Sequence, residues 1–558
     1  MKKIKTIIPL MLALCCAQSQ NYIGMADSCF KLKNYACSAT NYELFMAKID
    51  PESNGIAYRA ALSWSLAKDK EKAFVALNRY VKNNALNNNP FFSQQLIDEK
   101  GFSFLRDDVR WAMLIDSVQK GEARVTEQMK KEWEAAKEKW KTFENALDVG
   151  SQLNNLDINR DIYPELTKLF VYKSPKPFLT NGGITLFIRV NNADIPFYVH
   201  VPENYDPAVA SPALIVLHGA VNINLDYPPA AYIPRAYKMT SDHIPGYAKD
   251  YIAIYPMGIK TLNWMNTESG FDMVNEIVVY LKSYLNVDDN RIELLGHSNG
   301  ATGVFTYLVK SPTPYAGFYG MNTHPKVYIG GTFLRNGMTR HFYNFATDKD
   351  YYYPLQAIRT IDSLARSVGV NWYTQLNYGY PHWYPAMKES FVPMAKIFED
   401  MVNRVRNPFP KEIYFETDNV KYGTSDWIRI TALDTLSSKA TWQTDPNFKI
   451  TEWTDSKDFN KIVHREEMAF DYPCRSGAIK AMRKGNNIYV ETSDISSFAI
   501  LLNREIVDYR KKINVYVNGR RIYTKKISPD KLYTLSNFKS RMDRKVIWEN
   551  ELDFVVKK

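Results

Sequence analysis

The spacing of apolar residues changes character along the chain. Residues 20–125 have helical spacing, with helix-like segments at Cys37–Ala47 and Glu71–Tyr80 that each follow a polar turn. Between residues 175 and 405, short apolar strands alternate with helix-like segments, which predicts a mostly parallel sheet with helices on both faces. After Asn407, short alternating strands dominate and predict an all-β sandwich. The chain is therefore expected to be multidomain.

Five segments follow from this pattern. We expect a signal peptide, a helical tetratricopeptide-like domain, a helical linker, a catalytic α/β domain and a β-sandwich accessory domain, at residues 1–19, 20–125, 126–174, 175–407 and 408–558. In the second segment, polar turns at Lys33–Tyr35 and Lys68–Lys70 lie 35 residues apart, as in tetratricopeptide helix hairpins. With two repeats visible, a small irregular helical bundle fits as well. In either form the domain is a candidate surface for another protein.

The first residues have the order of a secretory signal. A basic start is followed by the apolar run Thr6–Ala13 and then by small residues. The run is too short to span a bilayer. Cleavage is expected near Ala17 or Ser19 and predicts a secreted or periplasmic protein. Lipidation of Cys15 or Cys16 is the alternative, and membrane attachment is expected only in that case.

Composition narrows the classes of function. With 45% hydrophobic and 23% charged residues, the chain has the make-up of a globular protein. Its net charge of +11 is spread without a dense basic run, so nucleic-acid binding is not expected. No Cys/His spacing resembles a zinc site, and no metal or cofactor is expected. Cys29 and Cys37 lie on adjacent predicted helices and can pair in an oxidising compartment, whereas Cys474 is expected to be a buried thiol.

One pentapeptide in the catalytic segment carries candidate chemistry. An apolar run ends in Gly296-His297-Ser298-Asn299-Gly300. Glycines two residues before and after a serine predict a turn too tight for side chains, the G-x-S-x-G elbow of α/β hydrolases, which leaves the hydroxyl exposed between a strand and a helix. The same pattern also arises by chance. The test is therefore the chain order of the other parts: oxyanion loop, serine, acid and histidine.

The oxyanion loop is expected where the strand at Leu214–Leu217 runs into His218 and Gly219. The intermediate of acyl transfer carries negative charge on oxygen, which two preorganised backbone N–H groups stabilise. We assign these donors to Asn299, which follows the serine, and to Ala220. His218 precedes the serine in the chain, so it is expected to shape the loop and not to act as the base.

The acid and the histidine must follow the serine in this order. Three aspartates lie between Ser298 and the candidate histidine His382: Asp348, Asp350 and Asp362. Asp362 falls in a helix-like stretch and is expected to be solvated, whereas the other two both follow a predicted strand. Of the later histidines, His464 lies in the predicted sandwich. His382 lies in a Gly/Pro loop after a predicted strand, and the order therefore favours it.

Several motifs together resemble secreted esterases of the polyhydroxybutyrate depolymerase and feruloyl esterase type, close to the prolyl-oligopeptidase-like hydrolases. The resemblance covers residues 185–400 and is carried by the segments Pro196–Pro207, Leu214–Gly219, Phe271–Ala301, Phe345–Pro354 and Pro381–Trp383. It implies Asp350 as the acid, because in many such esterases the acid stands a few residues before a Val-Pro pair. The chain departs from the usual pattern at two places. It has Ala346-Thr347 where a His-Gly or Gly-Thr pair commonly precedes the acid, and it has Ala220 where some relatives have cysteine.

These residues predict an enzyme in which Ser298, His382 and Asp350 cleave a carboxylic ester, with acylated plant polysaccharide as one substrate class. A serine peptidase on the same core is an alternative, because the triad serves amides as well as esters. A non-catalytic binding protein is the other alternative. In the last segment, Trp442 and Trp453 form either a sugar-stacking platform or part of the core, and the core is favoured. The segment Val221–Asp250 is expected to line the entrance and set specificity.

Overall fold

The structure is a computed structural model that describes residues 22–51, 53–86, 92–221, 249–434, 436, 438–444, 446–456, 458, 460–470 and 475–556. The predicted signal peptide, Cys474 and residues 222–248 of the predicted entrance segment lie outside these ranges. The chain divides into two compact units, one up to Glu134 and one from Ala135 onward. The predicted boundary after residue 125 falls within a single helix, Val109–Leu147.

The first unit is helical. Residues 22–31 form α1. The next elements are α2 (Tyr35–Lys48), α3 (Asn54–Leu66), α4 (Lys70–Leu86), α5 (Phe92–Asp98), a 3-10 segment (Lys100–Leu105) and the start of α6 (Val109–Leu147). A disulfide joins Cys29 on α1 to Cys37 on α2. One apolar core, with Ala60, Leu77 and Phe102 at its centre, holds these helices together, whereas the tetratricopeptide assignment stays a prediction.

An eight-stranded sheet dominates the second unit, in the order β1-β2-β4-β3-β5-β6-β7-β8. Strand β2 runs antiparallel to β1 and β4, and the remaining neighbours are parallel, as the alternating pattern predicts. The strands are Gly183–Val190, Ala193–His200, Ser211–Leu217, Ile252–Pro256, Val287–His297, Gly317–Met321, His341–Thr347 and Asn371–Asn377, numbered β1 to β8 in chain order.

Helices cover both faces of this sheet because the side chains of its strands alternate. Ile215 and Leu294 face the core that also contains helices α8 to α10, whereas Leu214 and Leu295 face the core that contains α11. A short helix, α7, precedes the sheet. The bounds of α7 to α11 are Tyr163–Leu166, Glu268–Lys282, Asn299–Lys310, Leu355–Ser367 and Phe391–Met401.

The last part of α6 packs against the central sheet. Phe143 and Leu147 are buried in the core of the central sheet. The indole Nε1 of Trp140 donates a hydrogen bond to the Tyr280 hydroxyl at 2.8 Å. No described helix is both long and apolar enough to cross a membrane.

The C-terminal part contains two further sheets that share one apolar core. One has the order β10-β11-β16-β19 and the other β18-β17-β15-β14-β9. The hairpin turn at Asn518-Gly519 has positive φ at both residues, as a type I′ turn requires. The elements are β9 to β11 (Glu412–Thr417, Thr424–Ser425, Ile428–Leu433), β14 to β18 (Gly477–Lys484, Asn487–Ser493, Ile495–Leu502, Ile513–Val517, Arg520–Lys525), α12 (Lys531–Arg541) and β19 (Asn550–Val555).

A separate hairpin consists of β12 (Lys449–Thr454) and β13 (Ile462–Met468). It packs on the core of the central eight-stranded sheet. Ile450 and Trp453 of β12 are buried in the core of the central sheet. Trp453 is therefore a core residue, although it belongs to the core of the central sheet and not to that of the two smaller sheets. Trp442 is half-buried, with the Lys480 ammonium 4.4 Å from the centre of its ring.

Candidate active site

The turn between β5 and α9 shows why two glycines flank the serine. A Cβ at Gly296 would overlap the backbone of Gly300, and a Cβ at Gly300 would overlap the carbonyl group of Leu217. Ser298 itself has φ +57° and ψ −122°, a strained conformation for a residue with a side chain. Its half-buried hydroxyl is held between strand and helix, which is the geometry of a nucleophile elbow.

The structure brings Ser298, His382 and Asp350 together in one line of hydrogen bonds. His382 Nε2 lies 2.8 Å from Ser298 Oγ, and His382 Nδ1 lies 2.6 Å from Asp350 Oδ2. Asp350 is fully buried and His382 is 6% exposed. The three residues follow β5, β7 and β8, so the line lies at the carboxyl ends of parallel strands, where α/β sheets place their ligands.

The hydrogen bonds of Asp350 fix the direction of this line. Its Oδ1 accepts from the backbone N–H groups of Tyr352 and Tyr353, at 2.8 and 3.1 Å. Its Oδ2 is therefore free to accept a hydrogen bond from the N–H group at Nδ1 of His382. In the neutral imidazole Nε2 is then the acceptor, and it faces the hydroxyl group of Ser298.

The other candidates from the sequence lie elsewhere. Asp348 accepts from the backbone N–H of Gly379 at 2.6 Å and so supports the loop that carries His382. Asp362 pairs with Arg366 on the same helix. His464 is exposed on β13. None of these side chains reaches Ser298 in the described part of the chain, whereas Asp350 and His382 form the line.

The two predicted oxyanion donors lie on segments that contact each other. Asn299 is the first residue of α9, and N–H groups in the first turn of a helix have no partner within it. The Asn299 side chain accepts a hydrogen bond from the Val221 N–H at 3.3 Å, which ties the loop after β3 to the elbow. In that loop Ala220 has φ +55°, and a Cβ at Gly219 would lie 3.1 Å from the Cβ of Ser298.

His218 is hydrogen-bonded within the loop after β3, where the sequence predicts that it shapes the oxyanion loop. Its Nε2 accepts from the Gly258 N–H at 3.0 Å, so the proton of the neutral ring is on Nδ1, which donates to the Gly219 carbonyl at 2.7 Å. Burial lowers the pKa of His218, and the ring packs edge-on against Trp264. The imidazole of His218 is therefore uncharged when it makes these two hydrogen bonds with the loop.

Sequence reasoning missed two residues at the site, Asn322 and Tyr353, and one contact of the predicted elbow residue His297. Asn322, directly after β6, donates to the backbone carbonyl of His382, as does His297, which the sequence marked only as part of the elbow. The ring centre of Tyr353 lies 5.2 Å from that of His382. Burial raises the pKa of Tyr353 to about 12, and an interaction with the Ser298 side chain partly offsets this rise. A polar residue at the carboxyl end of a parallel strand was the available signal for Asn322.

The sequence comparisons do not assign this chain to a family, so the geometry of the site is the main guide to its chemistry. Among the described residues, no group of three or more His, Cys, Asp and Glu side chains is arranged to hold a metal ion. No protein-family model matches the chain, and no curated protein matches it.

Solved structures of esterases resemble part of the chain. A thermostable esterase matches at 19% identity and a TM-score of 0.34, over 40% of this chain and 64% of its own length. Thermogutta terrifontis esterase 2 phosphoramylated by tabun matches at 13% identity and a TM-score of 0.33, over 41% of this chain and 97% of its own. A likeness at this level carries no argument about function.

Proposed function

We propose that this chain is a serine hydrolase of the α/β-hydrolase type that cleaves carboxylic esters through an acyl-enzyme. The observation that carries the proposal is the line of hydrogen bonds from Ser298 Oγ to His382 Nε2, at 2.8 Å, and from His382 Nδ1 to Asp350 Oδ2, at 2.6 Å. A nucleophile, a base and a group that orients the base are thus in hydrogen-bond reach, on a strained elbow.

In the first half of the reaction, Ser298 Oγ attacks the carbonyl carbon of the ester while His382 Nε2 takes the hydroxyl proton. Asp350 stabilises the charged imidazole through Nδ1–H and keeps the ring in the required tautomer. The carbonyl oxygen becomes an oxyanion, which the N–H groups of Ala220 and Asn299 stabilise. His382 then gives its proton to the departing alcohol, and the acyl group stays on Ser298.

Water completes the second half. His382 Nε2 takes a proton from the water as its oxygen attacks the acyl carbon, and it returns that proton to Ser298 Oγ when the acid leaves. Tyr353 keeps its phenolic proton near neutral pH, as an ordinary tyrosine does, and burial raises its pKa further, to about 12. Its hydroxyl can therefore act as a hydrogen-bond donor beside the nucleophile.

We further propose an extracytoplasmic location and an ester with a ring-containing or apolar group, such as acylated plant polysaccharide. The location rests on the signal-like first residues. The substrate class is supported by aromatic side chains beside the base. Tyr352 is 51% exposed and its ring centre lies 4.7 Å from that of His382, and the adjacent Trp383 is 45% exposed. Such rings offer flat apolar contact to a substrate.

The test is hydrolysis of a short-chain p-nitrophenyl ester by the purified protein, by Ser298→Ala and by the matched control Ser363→Ala. Ser363 is exposed on α10, away from the triad. We expect a fall in kcat by a factor on the order of 10⁴ or more for Ser298→Ala and no change for the control. Hydrolysis that survives in Ser298→Ala would refute the proposal.

A further inference from the structure

The backbone carbonyl of His382 is held by two side chains that take no part in the triad. Asn322 Nδ2 donates to it at 2.5 Å and His297 Nε2 at 3.0 Å. Asn322 is fully buried. The carbonyl belongs to the residue whose imidazole must meet both Ser298 and Asp350, so these two bonds act on the main chain from which that ring extends.

The orientation of the Asn322 amide is fixed by a further contact. The Thr347 hydroxyl donates to Asn322 Oδ1 at 3.1 Å, which directs the NH₂ group towards the His382 carbonyl. The backbone N–H of Asn322 donates to the Phe345 carbonyl on β7 at 2.8 Å. Asn322 has φ +53°, a conformation that asparagine tolerates better than most residues. Both the backbone and the side chain therefore suit this position.

His297 supplies the second bond as a neutral ring. Burial lowers the pKa of His297 to about 4, and the nearby His382 adds to the effect. The ring is therefore uncharged near neutral pH, and the contact with a carbonyl oxygen requires the proton on Nε2. His297 directly precedes the nucleophile, and the Ser298 N–H donates to the Met321 carbonyl, next to Asn322, at 3.0 Å. The ends of β5 and β6 thus hold the histidine loop together.

We propose that Asn322 and His297 are positioning residues, which fix the main chain of His382 so that its imidazole meets Ser298 and Asp350 at the same time. This role rests on the proposed function of the triad. Their contribution is made through His382, because each of them donates a hydrogen bond to its backbone carbonyl. A displacement of about 1 Å in a catalytic group can lower the rate about a hundredfold. Loss of either donor should therefore lower kcat and leave KM nearly unchanged.

The experiment compares four variants in ester hydrolysis, with the active sites counted by a fluorophosphonate probe. Asn322→Gly removes the amide at a position where glycine accepts the backbone conformation. His297→Leu removes the second donor, whereas His297→Gln keeps a nitrogen donor near the same place. Asn336→Gly is the matched control, because Asn336 is a buried asparagine that also donates to backbone carbonyls, those of Val309 and Glu416, both at 2.7 Å.

We expect Asn322→Gly and His297→Leu each to lower kcat per counted site by about tenfold to a hundredfold, with KM within about twofold of the wild type. His297→Gln should recover most of the loss. Asn336→Gly should keep wild-type kcat per counted site, whatever it loses in stability. A purely structural role would instead lower the number of sites and leave kcat per site intact.

Two other outcomes would overturn the proposal, and they are distinguishable. If the wild type hydrolyses the ester and Asn322→Gly and His297→Leu keep its kcat, or Asn336→Gly loses as much per site, the positioning role fails and the proposed function stands. If the wild type neither hydrolyses the ester nor reacts with the probe, the proposed function fails and this role falls with it.

Discussion

The two ends of the central sheet both bury acidic side chains against basic partners, yet they differ in what surrounds the pair. At the amino ends of the strands, each of these charges is paired with an opposite charge. At the carboxyl ends, His382 is paired with Asp350 through Nδ1, and its other ring nitrogen, Nε2, contacts the hydroxyl of the half-buried Ser298. The pairs at the amino ends are Lys282–Asp289, Arg340–Asp426 and Arg406–Asp543, at 2.7, 2.6 and 2.8 Å.

Perturbed pKa values do not separate these two ends. Burial raises the pKa of Asp426, and the Arg340 guanidinium offsets only part of this rise. Burial would also raise the pKa of Asp543, but the charges of Arg406 and Lys282 outweigh it and lower the pKa to about 2. Both groups belong to a structural network of ion pairs, which shifts pKa values as an active site does. What marks the carboxyl end is a histidine with one ring nitrogen directed at the hydroxyl of a strained, half-buried serine.

The sharpest way to test this comparison is to change one buried aspartate at each end to asparagine. At the carboxyl end, Asp350→Asn keeps the shape of the side chain but removes the charge that fixes the tautomer of His382. We expect kcat to fall about 10⁴-fold while the free energy of unfolding changes little. The measurement is ester hydrolysis per folded molecule, with urea unfolding beside it. A variant that keeps a tenth or more of the activity would show that Asp350 is not the orienting acid.

At the amino end, Asp426→Asn should have the opposite profile. It leaves the buried guanidinium of Arg340, which precedes β7, without its counter-charge. Breaking a buried pair in this way costs about 3–5 kcal/mol, so the midpoint of urea unfolding should fall clearly. The kcat per folded molecule should equal that of the wild type. A loss of kcat without a loss of stability would mean that the two ends of the sheet are coupled.

Chain order was enough to select two residues of the hydrogen-bonded line, because the order of loops along a parallel sheet decides which residues meet at its carboxyl edge. It picked Ser298 and His382 from the residues alone, and the choice of Asp350 over Asp348 came from the resemblance to esterases. The sequence did not predict a role for Asn322, because that role depends on the backbone carbonyl of His382, 60 residues away. No side-chain pattern marks such a main-chain atom.

The accessory segment shows the same limit at larger scale. Its alternating strands predict sheets, and sheets form there. The pattern does not show that Trp453 packs into the core of the central sheet, nor that Arg406 and Asp543 pair across the predicted boundary at residue 408. Both parts consequently lie in one compact unit. Contacts between distant segments depend on tertiary packing, which local periodicity does not specify.

The smallest of the expected effects tests strand β5, which joins the two ends by carrying Asp289 near its start and leading to Ser298. Between them lies Glu293, whose carboxylate oxygens are buried and have no hydrogen-bond partner among the described residues. Burial raises its pKa well above the ordinary value of 4.5, against a smaller opposing effect of Arg291. The carboxyl thus keeps its proton in the folded chain and loses it in the unfolded chain above pH 4.5.

The folded state then binds one proton more than the unfolded state, so the free energy of unfolding falls as pH rises from 4.5 towards the raised pKa. In Glu293→Gln the side chain is uncharged at every pH, so the variant does not lose free energy of unfolding in this way. We expect the variant to gain about 1.4 kcal/mol relative to the wild type for each pH unit in that window, measured by urea unfolding at several pH values. The exposed control Glu452→Gln should show no such slope. Parallel profiles for wild type and Glu293→Gln would instead mean that Glu293 is ionised in the folded chain, and that β5 carries a buried charge at its middle as well as at Asp289.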